Sequence, residues 1–274
     1  MDWQQNKIIE TKYHTTLQIV CKVILDSIKN ATTVSEINLK LQYISDSAIF
    51  QSLADTTALK FITNANIIDE KTWRSATRAN SKSRLIYEQL QKDLTYSNVG
   101  KVVSNQIFEN SRLIRSLPSD LARQISKFVA TNAYSGLRAS EIASVLQQKV
   151  WQYSRARASV IARTEASKAM TALTEARSRD VGVKWYIWKT ANDGNRVRHS
   201  HQHMQGVLVN FDEPPSPEQL VHEKNVGYYN AGNIYNCRCF PSPLITLDKV
   251  QFPCKVYHNG AITKMTKAQF QKIM

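Results

Sequence analysis

From Lys7 to about Arg179, apolar residues recur three and four positions apart with few glycines between them, and this periodicity commits the first two thirds of the chain to α-helix. The interruptions carry cap chemistry. Asn30-Ala31-Thr32-Thr33 closes a first helix, and Ser35, Glu36 and Ile37 through Ile44 form a second. Pro118-Ser119-Asp120 predicts a helix start, with Leu121 to Asn132 as the helix, because a Ser or Asp side chain satisfies exposed amide groups at that end. Ser135-Gly136 breaks it, Ser140 to Gln148 begins another, and a further helix runs from about Arg155 to Arg179.

That last helix has a narrow stripe of Ala158, Ala162, Ala166, Ala169, Leu173 and Ala176, in alternating steps of four and three, which allows close helix packing. Its exposed sides carry Arg155, Arg157, Arg163, Lys168, Arg177 and Arg179, opposed only by Glu165 and Glu175. Gly182 is the expected stop, since glycine takes the left-handed conformation without steric cost. Beyond it the texture changes to short alternating or aromatic runs, Lys184-Trp185-Tyr186-Ile187-Trp188 and Val207-Leu208-Val209-Asn210-Phe211, which predict strands. Asn192-Asp193-Gly194 predicts a turn, and Asp212 to Gly232, with Pro214, Pro215 and Pro217, a long irregular loop. The expected fold class is α+β: a mostly helical N-terminal two thirds followed by a small, loop-rich, β-containing C-terminal part. No sheet order follows from the sequence.

Composition narrows the class of protein. Of 274 residues, 42% are hydrophobic and 21% charged, which is globular composition and argues against disorder. The net charge of +14 attracts polyanions, whether nucleic acid, anionic membrane or an acidic protein surface. The polar start Met1-Asp2-Trp3-Gln4-Gln5-Asn6-Lys7 lacks an export signal. The greasiest run, Leu17 to Leu25, is interrupted by Lys22 and is much shorter than the roughly 20 residues of a membrane span, so no membrane partner is expected. Cys21, Cys237, Cys239 and Cys254 are too few and too unevenly placed for a disulfide scaffold, and Cys21 reads as a small core residue.

Two segments carry candidate chemistry: Arg196 to Gly206, with His199, His201 and His203, and Asn236-Cys237-Arg238-Cys239. Imidazole and thiolate are the preferred zinc ligands, so His201, His203, Cys237 and Cys239 are a candidate structural zinc set. Residues two apart on an extended strand stand about 6.6 Å apart, so Cys237 and Cys239 would have to lie on a turn. A solvated histidine cluster and two cysteines packed in a core are the plainer readings. A metal-dependent nuclease with a histidine base is the alternative function, but nearby carboxylates are sparse, with Asp193 and Asp212 the nearest aspartates in sequence. No phosphate-binding loop, dinucleotide fingerprint, nucleophile elbow or zinc-protease motif is present. Trp185 and Trp188 could stack on bases, but their position in an apolar run predicts core.

The order of motifs is itself informative. Ile161-Ala162-Arg163-Thr164-Glu165 on a helix, Gly182 to Trp185, Asp193, Arg196 and Arg198 leading to His201 and Gly206, and then Asn236-Cys237-Arg238-Cys239 together resemble the phage Mu F-like head-morphogenesis domain. The resemblance covers about residues 100 to 245. It places family positions at Arg163, Thr164, Glu165, Trp185, Asp193, Arg196, Arg198, His201, Gly206, Asn236, Cys237 and Cys239. It implies three segments: a helical N-terminal region (1–97), the Mu F-like domain (98–247) and a short basic tail (248–274). It also implies a minor capsid component of a tailed bacteriophage, not an enzyme, present in the virion at the inner head or portal and in the host cytoplasm during assembly. Its partners would be the portal protein, other head proteins and double-stranded DNA contacted nonspecifically, with Arg155, Arg157, Lys168, Arg177 and Arg179 as candidate contacts to DNA or an acidic partner. Some relatives place cysteines in the Arg198 to His201 region, which keeps zinc as a possible cofactor. Domains of this kind also occur fused to toxins, so a toxin-type effector stands beside the nuclease as the alternative.

Overall fold

The computed structural model describes residues 3, 7–31, 33–78, 97–133, 139–191 and 197–274. Among them the helices are α1 (Lys7–Ile28), α2 (Val34–Asp46), α3 (Ala48–Arg78), α4 (Asn98–Arg115), α5 (Leu117–Ala133) and α6 (Ala139–Asp180). Then come β1 (Trp185–Lys189), the one-turn α7 (His199–His203), β2 (Leu208–Asn210), β3 (Phe240–Pro243), β4 (Cys254–His258), β5 (Ala261–Met265) and α8 (Lys267–Gln271). This is the α+β arrangement that the sequence predicts. No helix among the described residues is long and apolar enough to cross a membrane.

The helix ends follow local chemistry, with two corrections. Thr33 caps α2 by accepting the Glu36 amide at 3.1 Å. The next predicted start is too late: α5 begins at Leu117, because Pro118 fits the first turn, where its missing N–H has no helical partner to lose. The second correction is that Ser140 to Gln148 and Arg155 to Arg179 belong to one 42-residue helix, α6, since nothing between them removes an amide donor or favours another backbone conformation. Its end is as expected. Gly182 sits at φ +75°, and the Val183 amide reaches back to the Ser178 carbonyl at 2.8 Å.

The chain forms two compact units. One comprises Ile8–Thr63 and Asn105–Ala162, and its regular elements among the described residues are all helices. Ile9, Tyr13, Leu17, Val20 and Ile24 of α1 are buried at helical spacing, as are Phe50, Ala54, Ala58 and Phe61 of α3. The Tyr13 ring stacks on Phe61 at 3.8 Å, and its hydroxyl donates to Asn110 at 3.0 Å, so its polar tip is satisfied inside the core. Cys21 is the core residue expected, and burial pushes its thiol up to about 11.

The other unit comprises Met1–Lys7, Asn64–Ser104 and Arg163–Met274 and contains the sheet. Its strand order is β3-β1-β2-β4-β5, antiparallel except for the parallel β2–β4 pair. Pro241 and Pro243 are tolerated because β3 is an edge strand, with one side free of ladder bonds. Side chains alternate across β1: Tyr186 and Trp188 enter a core with Val207, Val209, Phe211, Tyr229, Cys237 and Cys239, while Trp185 and Ile187 face a second core with Leu208, Val256 and Phe270. The tryptophans are therefore core, as predicted. Residues 254–265 of the basic tail form a hairpin whose Asn259-Gly260 turn has φ of 51° and 78°, the left-handed pair that a two-residue turn requires.

Candidate metal centre

The three histidines of the His199 to His203 run do not act together. On one helical turn, residues two apart point in nearly opposite directions, so α7 buries Ser200 and His201 and leaves His199 and His203 exposed. His199 meets Glu223 at 3.2 Å, and His203 is no part of the cluster around His201. The turn is positioned by Met204 behind it, which is fully buried, and by Gly206, whose φ of +78° lets its amide donate to the Trp188 carbonyl at 2.9 Å.

Cys237 and Cys239 arrive from a loop fixed by side chains of α6. Arg163 Nη1 donates to the Asn236 side-chain oxygen at 2.6 Å, and the Asn236 amide donates to the Thr164 hydroxyl at 2.9 Å. Asn236 has φ +55°, a left-handed conformation that asparagine tolerates. The Ser167 hydroxyl donates to the Cys239 carbonyl at 3.3 Å and the Thr171 hydroxyl to the Ala231 carbonyl at 2.7 Å. Gly232 lies in the same contact: a Cβ there would stand 2.5 Å from Thr171 Oγ1 and 2.6 Å from the Cys239 carbonyl. The polar row Arg163, Thr164, Ser167 and Thr171 thus fixes where the cysteines lie.

At the centre, His201 Nδ1 is 3.5 Å from Cys237 Sγ and 3.4 Å from Cys239 Sγ, and the three ligand atoms all lie within 4.8 Å of one another. The Cys239 amide donates to Cys237 Sγ at 3.2 Å, which gives the turn that the sequence spacing required. On the other side of the imidazole, Nε2 meets the Tyr229 hydroxyl at 2.9 Å, and that hydroxyl donates to both oxygens of Glu218 at 2.7 and 2.8 Å. Burial, then the Glu218 hydrogen bond and charge, raise the Tyr229 pKa, so its proton stays on the phenol. With that proton given to Glu218, Nε2–H is the donor to Tyr229, and the Nδ1 lone pair faces the sulfurs. A hydrogen bond from the Cys239 thiol, with a smaller contribution from the Cys239 amide, lowers the Cys237 thiol to about 5 against its burial, while Cys237 and burial raise that of Cys239. A cavity of about 340 Å³ opens on this cluster, lined also by Arg163, Arg198 and Asn236.

The other predicted positions divide clearly. Arg198 donates to the Tyr235 carbonyl at 3.0 Å and lies over the Tyr235 ring. Glu165 stands 3.5 Å from Lys168. Asp193, Arg196 and the Asn192-Asp193-Gly194 turn lie outside the described residues. Arg177 is not on an exposed side of α6: it is 2% exposed and pairs with Asp69 and Asn66, because the helix turns that position into the core. Arg157 faces Asp120 at 3.7 Å, Arg179 pairs with Glu175 and Asp212, and Arg155 is exposed over the Trp151 ring. Tyr229 and Glu218 were not singled out from the sequence. They sit in an irregular loop, where no periodicity marks a residue that points inward.

Residues 123–241 match the family model described as Phage Mu protein F like protein, which bears out the resemblance read from the motifs. All the motif positions from Arg163 to Cys239 fall within that range. A stretch of 148 residues is 28% identical to a protein of Haemophilus influenzae described as uncharacterized, covering 54% of this chain and 30% of that protein. No solved structure matches the chain.

Proposed function

We propose, from the premise that residues 123–241 are phage Mu protein F-like, that this chain is a minor head-morphogenesis protein of a tailed bacteriophage. In this reading it joins the particle with the portal or at the inner head, after a period in the host cytoplasm, and it touches packaged DNA without reading sequence. The family match is the observation that carries the proposal. The net charge of +14 suits DNA phosphates or an acidic portal surface. The exposed Arg155 and the partly compensated Arg157, Lys168 and Arg179 are the contacts to test, whereas Arg177 is buried. An assembly role requires no catalytic constellation, and Glu218, the buried carboxylate beside the cluster, is engaged by the Tyr229 and Ser200 hydroxyls.

The test is quantitative mass spectrometry of gradient-purified heads, with and without packaged DNA, measuring this chain relative to the portal protein. Portal-like or lower copy number in both populations is the expected result. Absence from both would remove the head-assembly reading.

A further inference from the structure

We propose that Cys237, Cys239 and His201 Nδ1 bind one zinc ion, with the fourth coordination position open to the cavity beside Arg163, Arg198 and Asn236. The argument begins with distances. Zinc bonds of about 2.3 Å to sulfur and 2.0–2.1 Å to nitrogen, set at the tetrahedral angle, place sulfur and nitrogen about 3.6 Å apart. The observed separations of Nδ1 from the two sulfurs are 3.5 and 3.4 Å, so one ion fits between the three atoms with little movement of the side chains.

The surroundings also match what such an ion needs. A metal-bound histidine usually directs its other ring N–H to a group that fixes the tautomer, and here Nε2 meets Tyr229, which is held in turn by both oxygens of Glu218. The Cys239 amide donates to Cys237 Sγ, a bond that favours the negative thiolate required for metal binding. Two sulfurs and an imidazole are soft or borderline ligands, which select zinc over magnesium or calcium. His201, Cys237 and Cys239 are all buried, yet all three line the same cavity. A fourth ligand therefore comes from the cavity, as water or a small anion favoured by the neighbouring guanidinium groups.

This site differs from the four-ligand set predicted by the sequence, because exposed His203 is not one of its members. The inference does not rest on the head-assembly reading, and its test requires no particle.

The full chain, purified under reducing conditions, would be assayed for metal by plasma mass spectrometry and then reloaded with cobalt. One zinc per chain and a thiolate-to-cobalt charge-transfer band are expected, with the visible cobalt spectrum changing when azide is added. His203→Ala should retain the metal. Tyr229→Phe should weaken binding about 10–100-fold while circular dichroism shows a folded chain. Absence of metal from a folded, reduced chain would overturn the proposal, as would a Cys237–Cys239 disulfide in chain isolated without reductant. Loss of metal in His203→Ala would overturn the ligand set, and a cobalt spectrum indifferent to azide would overturn the open position.

Discussion

Helix α3 contributes one aspartate to each compact unit, and the two carboxylates are held in opposite ways. In the helical unit, Asp55 lies at the surface, where it accepts from Ser111 and pairs with Arg115 at 2.6 Å, both partners being about half exposed. In the sheet-bearing unit, Asp69 is 0% exposed and meets Arg177, itself 2% exposed, with Thr174 donating to it at 2.6 Å. The difference extends beyond these pairs. Around Tyr13 and Leu17 the helical unit is held mainly by repeated apolar burial, whereas the other unit adds to its two apolar cores polar side chains of α6 that position loop backbone and bury a charged pair. Polar positioning of this kind brings His201 Nδ1 and the Cys237 and Cys239 sulfurs within 4.8 Å of one another.

The comparison is most open to challenge at Arg177. Replacing it by Met leaves Asp69 buried without its cation, which is expected to cost about 3–5 kcal/mol in urea unfolding followed by tryptophan fluorescence. Burial already raises the Asp69 pKa, opposed chiefly by Arg177. The variant's folded-state pKa should therefore rise further, so its penalty relative to the parent appears as pH climbs above the parent's raised folded value and grows until the variant's folded value is passed. A loss below about 1 kcal/mol, or a penalty that shrinks with rising pH, would show that the buried pair does not hold this unit together.

A smaller but more local effect is expected at Gly232. Ala there combines a backbone strained at φ +89° with contacts of 2.5 and 2.6 Å, one of them to the Cys239 carbonyl. Overpacking and strain together should cost about 2–4 kcal/mol. Because the displaced carbonyl belongs to Cys239 itself, thiol-reagent labelling of Cys239 should accelerate in the folded chain. Unchanged stability with unchanged labelling would mean that the loop is not fixed by its contact with α6.

Much of this was legible in the sequence, for identifiable reasons. The 3.6-residue periodicity exposed the helices, and the alanine stripe from Ala158 to Ala176 is buried as expected. Periodicity could not show Arg177 turning inward, because a long aliphatic stem with a charged end reads as surface until its partner, 108 residues away, is known. The cysteines and His201 were found as residue types with metal chemistry, but excluding His203 required knowing that the run forms a single helical turn. Tyr229 and Glu218 came from a proline-rich loop that has no pattern to read. The hairpin at Asn259-Gly260 is a different case: the dipeptide is a strong turn signal between Lys255-Val256-Tyr257-His258 and Ala261-Ile262-Thr263, so the segment that its charge marks as a basic tail also carries the pattern of two paired strands.

The smallest predicted effect closes the comparison of the two aspartates. Ser111 first, then Arg115, hold the Asp55 carboxyl below its ordinary value. A lowered folded-state pKa stabilises the chain at pH values above the unfolded value of about 3.9, and that contribution disappears as pH falls through the folded value. Because the side chains of Asp55 and Arg115 are 51% and 44% exposed, solvent screening limits the contribution to about 0.5 kcal/mol. Asp55→Asn should therefore be slightly less stable than the parent at neutral pH, with the gap closing in acid and in molar salt. The Arg177→Met penalty should persist in the same salt, since its partner is out of reach of counterions. If both penalties fell equally with salt, the two pairs would share one environment, and the contrast between surface and buried charge along α3 would be lost.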